Sequence, residues 1–187
     1  YGCEPPKMQE ILITDLQTAT NLLEAKRSTF WRYEQWKEEV EAQAMEQGYL
    51  ATVLGARRHL ETAARSDNKR DRQKASRQAS NFMIQAAGAE LIKRAMTRFW
   101  KSGVLSDLDV VFMFCVHDEL VISVHKDHAQ QAVQVLHSCV SQPYTEEFPV
   151  PFVGSISLGK NFGQQVEAGE VFDAVAVGRI IVDIFNS

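Results

Sequence analysis

The sequence predicts an α+β fold in which long helices pack on a small antiparallel sheet, and three observations predict it. Apolar residues recur at three- and four-residue steps across most of the first hundred positions. Two short apolar runs then flank the ionisable residues His117, Asp118 and Glu119, the pattern of strand, turn and strand. The 187 residues, 45% of them hydrophobic, suffice to bury a core for one domain, or for one domain and part of another.

Residues 8–47 carry a helical pattern. Pro5 and Pro6 suit a helix start, Leu12, Leu16, Ala19, Leu22 and Leu23 share a face, and a second helix follows over 29–46. Gly48 ends it. Residues 49–54 read as a short strand that turns at Gly55 into Arg57-Arg58-His59-Leu60, a small hairpin. A long helix over 67–100 places Ala75, Ala79, Phe82, Ala86, Ala89, Ile92, Met96 and Phe99 along one stripe, facing a core. A different face carries Arg70, Lys74, Arg77, Asn81 and Gln85, so long polar side chains line one side.

After Gly103, residues 109–116 and 120–124 read as two strands, with Asp118 and Glu119 at the turn between them. An amphipathic helix over 126–140 and a final strand over 150–158 follow. From Gln164 onward the chain is an apolar, acidic tail with no readable role, and no internal repeat or low-complexity segment appears.

The formal charge of -4 argues against binding nucleic acid by bulk attraction, so a polyanion would need a local basic surface. Residues 65–77 offer one, with six basic side chains against Asp67 and Asp71, although such a run is also what a solvated helix face looks like. Cys3, Cys115 and Cys139 are an odd number with no CxxC pair, which fits a reducing, intracellular setting. The longest apolar stretch, 110–116, is far short of a membrane span, and no basic-then-apolar leader opens the chain, so no membrane partner is expected. The first residue is Tyr1 rather than Met, and a processed product or a segment of something longer is expected.

Adjacent carboxylates repel, and a divalent cation offsets that repulsion. Mg2+ takes hard oxygen ligands and commonly only one or two carboxylates plus substrate phosphates, which suits a site ending in Asp118. Taken alone, the triplet is more often a plain surface turn, where Asp and Glu are common. The other histidines, His59, His125, His128 and His137, show no metal-ligand spacing, which weakens a third reading as a metal-dependent phosphoesterase.

Five blocks in order carry a resemblance: Tyr1-Gly2, GYLATVLGARR, RQASNFMIQAAGAELIKRAM, FCVHDELVISV and VPFVGSISLGKNF. Together they resemble the C-terminal palm and fingers portion of family A DNA polymerases, of bacterial or phage type, over almost the whole chain. The resemblance implies that Asp118 binds catalytic Mg2+, that Glu119 supports the site and that His117 approaches the primer terminus. It implies that Arg77, Asn81 and Gln85 reach the minor-groove side of primer-template DNA, and that Tyr1 lies beside the nascent base pair. Minor-groove acceptors are nearly the same for every correct pair, so such contacts sense pairing geometry without preferring a sequence. Arg77 can additionally meet phosphate or sugar.

The chain departs mildly from the family pattern at Ala86, where a Gly is usual, at Glu90, where an Asp is usual, and in the run Gly55-Ala56-Arg57-Arg58. The larger departure is an absence. Two-metal phosphoryl transfer needs a second carboxylate, which the family supplies from a strand before Tyr1, together with the Arg- and Lys-bearing helix that grips deoxynucleoside triphosphates. The implied Mg2+ site of two ions is therefore completed by a carboxylate outside this chain, and the implied partner is an N-terminal polymerase portion in the same or another polypeptide. The expected division is residues 1–60 as the end of the fingers with the small hairpin, 61–163 as palm, and 164–187 as tail. The alternative is a polymerase-derived module that binds DNA or protein without catalysis.

Overall fold

The computed structural model of the protein describes residues 4–143, 145–146, 150 and 152–186. Among the described residues it is α+β, mostly helical, and the small antiparallel sheet is realised as three separate two-stranded hairpins. The chain divides into two compact units, residues 1–87 and 88–187.

The first unit opens with α1 (Pro5–Leu12), α2 (Leu16–Thr29) and α3 (Trp31–Gln47). The apolar periodicity had joined α1 and α2 into one helix. They separate at Ile13, whose backbone is left-handed at φ 51°, and α2 restarts from an Asp15 cap. The Asp15 carboxylate accepts from the Thr18 hydroxyl at 2.6 Å and the Thr18 amide at 2.8 Å, satisfying a helix-start donor. Those two bonds hold the Asp15 carboxyl below its ordinary pKa.

Gly48 ends α3 with φ 75°, where L side chains are strained, and leads into β1 (Tyr49–Ala51). β1 pairs antiparallel with β2 (Arg57–His59), Leu50 facing Arg58, as the hairpin pattern predicts. Thr52 closes the connection by accepting the Ala56 amide on its hydroxyl at 3.0 Å. A single turn, α4 (Glu61–Ala64), precedes the long α5 (Lys69–Lys101). Val40, Ala44, Leu50, Leu60 and Ala79 form the core, with Trp36, Met45, Phe82 and Met83 packed against it.

In the second unit α5 ends by burying Phe99, and Gly103 at φ 80° turns the chain into α6 (Val104–Asp107). β3 (Val111–Val116) and β4 (Glu119–Ser123) follow as an antiparallel pair. A 3-10 turn over Lys126–His128 precedes α7 (Ala129–Val140). Arg98 fastens the end of α7 by donating to the carbonyls of Cys139 at 3.3 Å and Pro143 at 3.2 Å. Phe99, Val104, Leu108, Val110, Ala132 and Cys139 make this core, and burial pushes the Cys139 thiol pKa up.

The last strand differs from expectation. Residues 150–155 hold no described strand; β5 (Ile156–Asn161) begins later and pairs with β6 (Gln164–Gly169). The Asn161 side chain makes the turn, accepting the Gly163 amide at 3.0 Å and donating to Gln164 at 3.0 Å. A Cβ at Gly159 would collide with the Gln164 carbonyl, so only glycine lets the two strands close there. The tail after Gln164 therefore contains β6 and α8 (Ala174–Asn186). Asp173 caps α8 through the amides of Val175 at 2.8 Å and Ala176 at 3.2 Å, and Val177 is fully buried.

The cut between units falls inside α5, which gives Ala79 to the first core and Phe99 to the second. It differs from the division at residues 60 and 163, which follows family blocks rather than packing. Among the described residues no helix is long and apolar enough to cross a membrane.

Candidate functional site

Arg77, Asn81 and Gln85 lie on α5 at successive four-residue steps, so they form one slowly drifting row along the helix. Arg77 and Gln85 are exposed and Asn81 is half-buried. Packing decides which side of α5 they occupy. Ala75 and Ala79 are fully buried, and Ala79 packs with Val40 and Ala44 of α3. Beside them, Ser76 donates to Glu41 of α3 in a short hydrogen bond, and Ser80 donates to the same carboxylate at 3.4 Å. These contacts fix the rotation of α5 within the first unit and leave the row on the solvent side. Glu41 escaped the sequence reading; the signal was the pair Ser76 and Ser80 inside an alanine stripe, which calls for a polar partner.

The second group stands at the tip of β3 and β4. The connection is the two residues His117 and Asp118, with His117 left-handed at φ 53°, as tight hairpins require. Glu119 is not a turn residue as expected: it is the first residue of β4, paired with Val116. Turn geometry is the reason, since a two-residue connection leaves no room for it. An irregularity between Phe112 and Phe114 leaves Met113 unpaired in the register. Phe114 then meets Phe162 edge-on, with ring centres 5.2 Å apart, which braces this hairpin against the turn of β5 and β6.

His117, Asp118 and Glu119 are all exposed. Solvent screens the two carboxylates, so their repulsion does not by itself demand a cation. Their availability is the stronger point. Among the described residues, neither carboxylate is engaged in a hydrogen bond or ion pair, and no group of three metal-ligating side chains is present. This donor set fits a hard cation that takes one or two carboxylates and completes its shell with phosphate and water oxygens. It does not fit an all-protein cage.

The carboxylate tip thus belongs to the second unit and the polar row to the first. Tyr1 lies outside the described residues.

Residues 1–164 match the family model described as DNA polymerase family A. The thermostable DNA polymerase I of Thermus filiformis is 28% identical over 162 residues, which cover 87% of this chain and 19% of the relative. The DNA polymerase I of Pseudomonas aeruginosa is 33% identical over 129 residues, covering 69% of this chain and 14% of the relative. A solved structure of the POL domain of Pol1 from M. smegmatis, in complex with DNA primer-template and dNTP, is similar with a TM-score of 0.73. It is 26% identical and covers 94% of this chain and 29% of that one. The chain spans less than a fifth of the length of these curated relatives.

Proposed function

The chain belongs to DNA polymerase family A, and from that premise we propose that it is the C-terminal catalytic portion of a DNA-directed DNA polymerase, incomplete alone. The observation that supports this most is the pair of uncommitted carboxylates at the tip of the β3–β4 hairpin, in a chain whose residues 1–164 match the family. Residues 1–60 then close the fingers, 61–163 build part of the palm, and the tail from 164 packs beyond them in sequence.

In this reading Asp118 holds Mg2+, with Glu119 supporting it and His117 facing the primer terminus. Bound there, Mg2+ would supply charge stabilisation at the transferring phosphate and would lower the pKa of the attacking hydroxyl. The primer 3′ hydroxyl gives up its proton to solvent as its oxygen forms a bond to the α-phosphorus of a deoxynucleoside triphosphate, the bond to the bridging oxygen breaks, and pyrophosphate leaves. Arg77, Asn81 and Gln85 hold the duplex by its minor-groove edge near the growing end, and Tyr1 stands beside the nascent pair. A second carboxylate and the triphosphate-gripping cations come from a preceding polymerase portion.

Primer extension tests the proposal. With Mg2+ and four deoxynucleotides the 187-residue chain extends nothing, and adding the preceding polymerase portion of a relative restores extension. Absence of extension in the combined sample, with the chain folded, would favour the non-catalytic module.

A further inference from the structure

The helix α8 lies beyond residues 1–164, the part of the chain that matches the family model. Its inner side packs on α7, β5 and β6, with Val177 fully buried and Ile180, Ile181 and Ile184 half-buried. These four recur at steps of three, one and three residues, which is one face of an α-helix.

The opposite side is apolar too. Val175 is 62% exposed, Val182 56% and Phe185 46%, and the steps of seven and three between them set these side chains along one outward stripe. Lys126 lies over the Phe185 ring, 5.8 Å from its centre, at one edge of the stripe. A surface helix ordinarily turns polar residues to water on this side, so the stripe calls for a partner.

Two charges decide what that partner is. Arg179 and Asp183 are exposed, and both lie to the same side of the stripe, about 40° and 80° round the helix axis from Val175. Among the described residues neither has a hydrogen-bond or ion-pair partner. They are four residues apart, but the cation precedes the anion, which is the weaker order for a pair within one helix. Both charges are therefore available to a second molecule. If two copies of α8 lie antiparallel about a two-fold axis at Ile181, midway between the charges, Arg179 of each copy stands level with Asp183 of the other. Both ion pairs form at once, and the two Val182 side chains meet close to the axis. A parallel pairing sets Arg179 against Arg179 and Asp183 against Asp183, which repels.

We propose that the outward face of α8 is a self-association surface on which a second copy of this chain docks antiparallel, as a symmetric dimer. The second unit's net charge of -5 opposes the approach of two copies, and the equal and opposite charges on α8 cancel that repulsion locally. Nothing in this surface depends on the polymerase reading.

Sedimentation equilibrium of the 187-residue chain, from about 1 to 200 μM, tests the proposal. The mass rises with concentration from 21.1 kDa toward twice that value. Val182→Glu, Arg179→Glu and Asp183→Arg each weaken association by about tenfold or more, with circular dichroism unchanged. Val53→Glu, at an exposed valine of the first unit, leaves association as it was. The two charge reversals are then mixed. Either one alone sets like charges opposite each other in its own dimer, whereas a mixed dimer has opposite charges at both contacts, so mixing restores the rise in mass. A chain that stays at 21.1 kDa throughout overturns the proposal, whether the stripe binds a different protein or none. So does a dimer that survives Val182→Glu and both reversals, and so does a mixture no more associated than either variant alone.

Discussion

The two compact units differ in charge more than in size. Residues 1–87 hold 13 basic and 12 acidic side chains, whereas residues 88–187 hold 7 and 12. The net charge of -4 thus conceals a unit near neutrality, with five of its 13 basic residues on the start of α5, and a unit of net -5 that bears the carboxylate tip. A polyanion approaching the second unit meets repulsion unless a cation lies between, whereas the first unit attracts it locally. In the proposed reading, DNA binding and chemistry would separate on these grounds, while α5 contributes residues to both units.

The largest expected effect lies in the acidic unit. In an enzyme reconstituted with the preceding polymerase portion, Asp118→Ala lowers the single-turnover extension rate by about a thousandfold, roughly 4 kcal/mol. Rate measurements at saturating Mg2+ check this, and a rate equal to that of the unmodified pair removes the metal role from Asp118.

Next comes the packing that holds the polar row. Leu50 is 1% exposed in the first core, and Leu50→Ala costs about 2–5 kcal/mol in denaturant melts. A loss below 1 kcal/mol would mean that this core does not fix α5.

Smaller again is the row itself. Arg77→Ala weakens primer-template binding by about 1.5–3 kcal/mol, as expected for a charged hydrogen bond. The loss shrinks as salt rises, because phosphate contacts carry counterion release. Lys126→Ala in the acidic unit serves as control, and equal behaviour of the two variants returns the row to a solvated helix face.

The smallest effect is at the Asp15 cap. Its pKa is depressed in the folded state, so its contribution is present above the unfolded carboxylate pKa and is lost as pH falls through the folded value. Helicity followed by circular dichroism below pH 5 falls less steeply in Asp15→Ala than in the parent.

Much of this architecture was legible because the relevant patterns are periodic. The stripe from Ala75 to Phe99 marks α5 within two residues of its observed end, and the runs around His117 mark β3 and β4. Where a local polar signal overrode periodicity, the reading failed. Leu12 and Leu16 share a helical face, yet Asp15, capping the Thr18 amide, starts a new helix at Leu16. β6 has the sequence QQVEAG, mostly exposed and without alternation, so only the turn at Asn161 and Gly163 betrays it. α8 was readable in principle from the Asp173 cap and the spacing of Val177, Ile180, Ile181 and Ile184. At the site, residue identities were legible, but the burial of Ala79 and the bonds to Glu41 that aim the row were not, because they depend on a partner helix distant in sequence.

The division between a binding unit and a chemical unit is tested most directly by measuring, on one primer-template, both the DNA dissociation constant and the maximal single-turnover rate of Asp118→Ala and Arg77→Ala in the reconstituted enzyme. The account predicts that Asp118→Ala loses rate and keeps its affinity, while Arg77→Ala loses affinity by more than tenfold and keeps most of its rate at saturating DNA. Loss of the same parameter by both variants would contradict it.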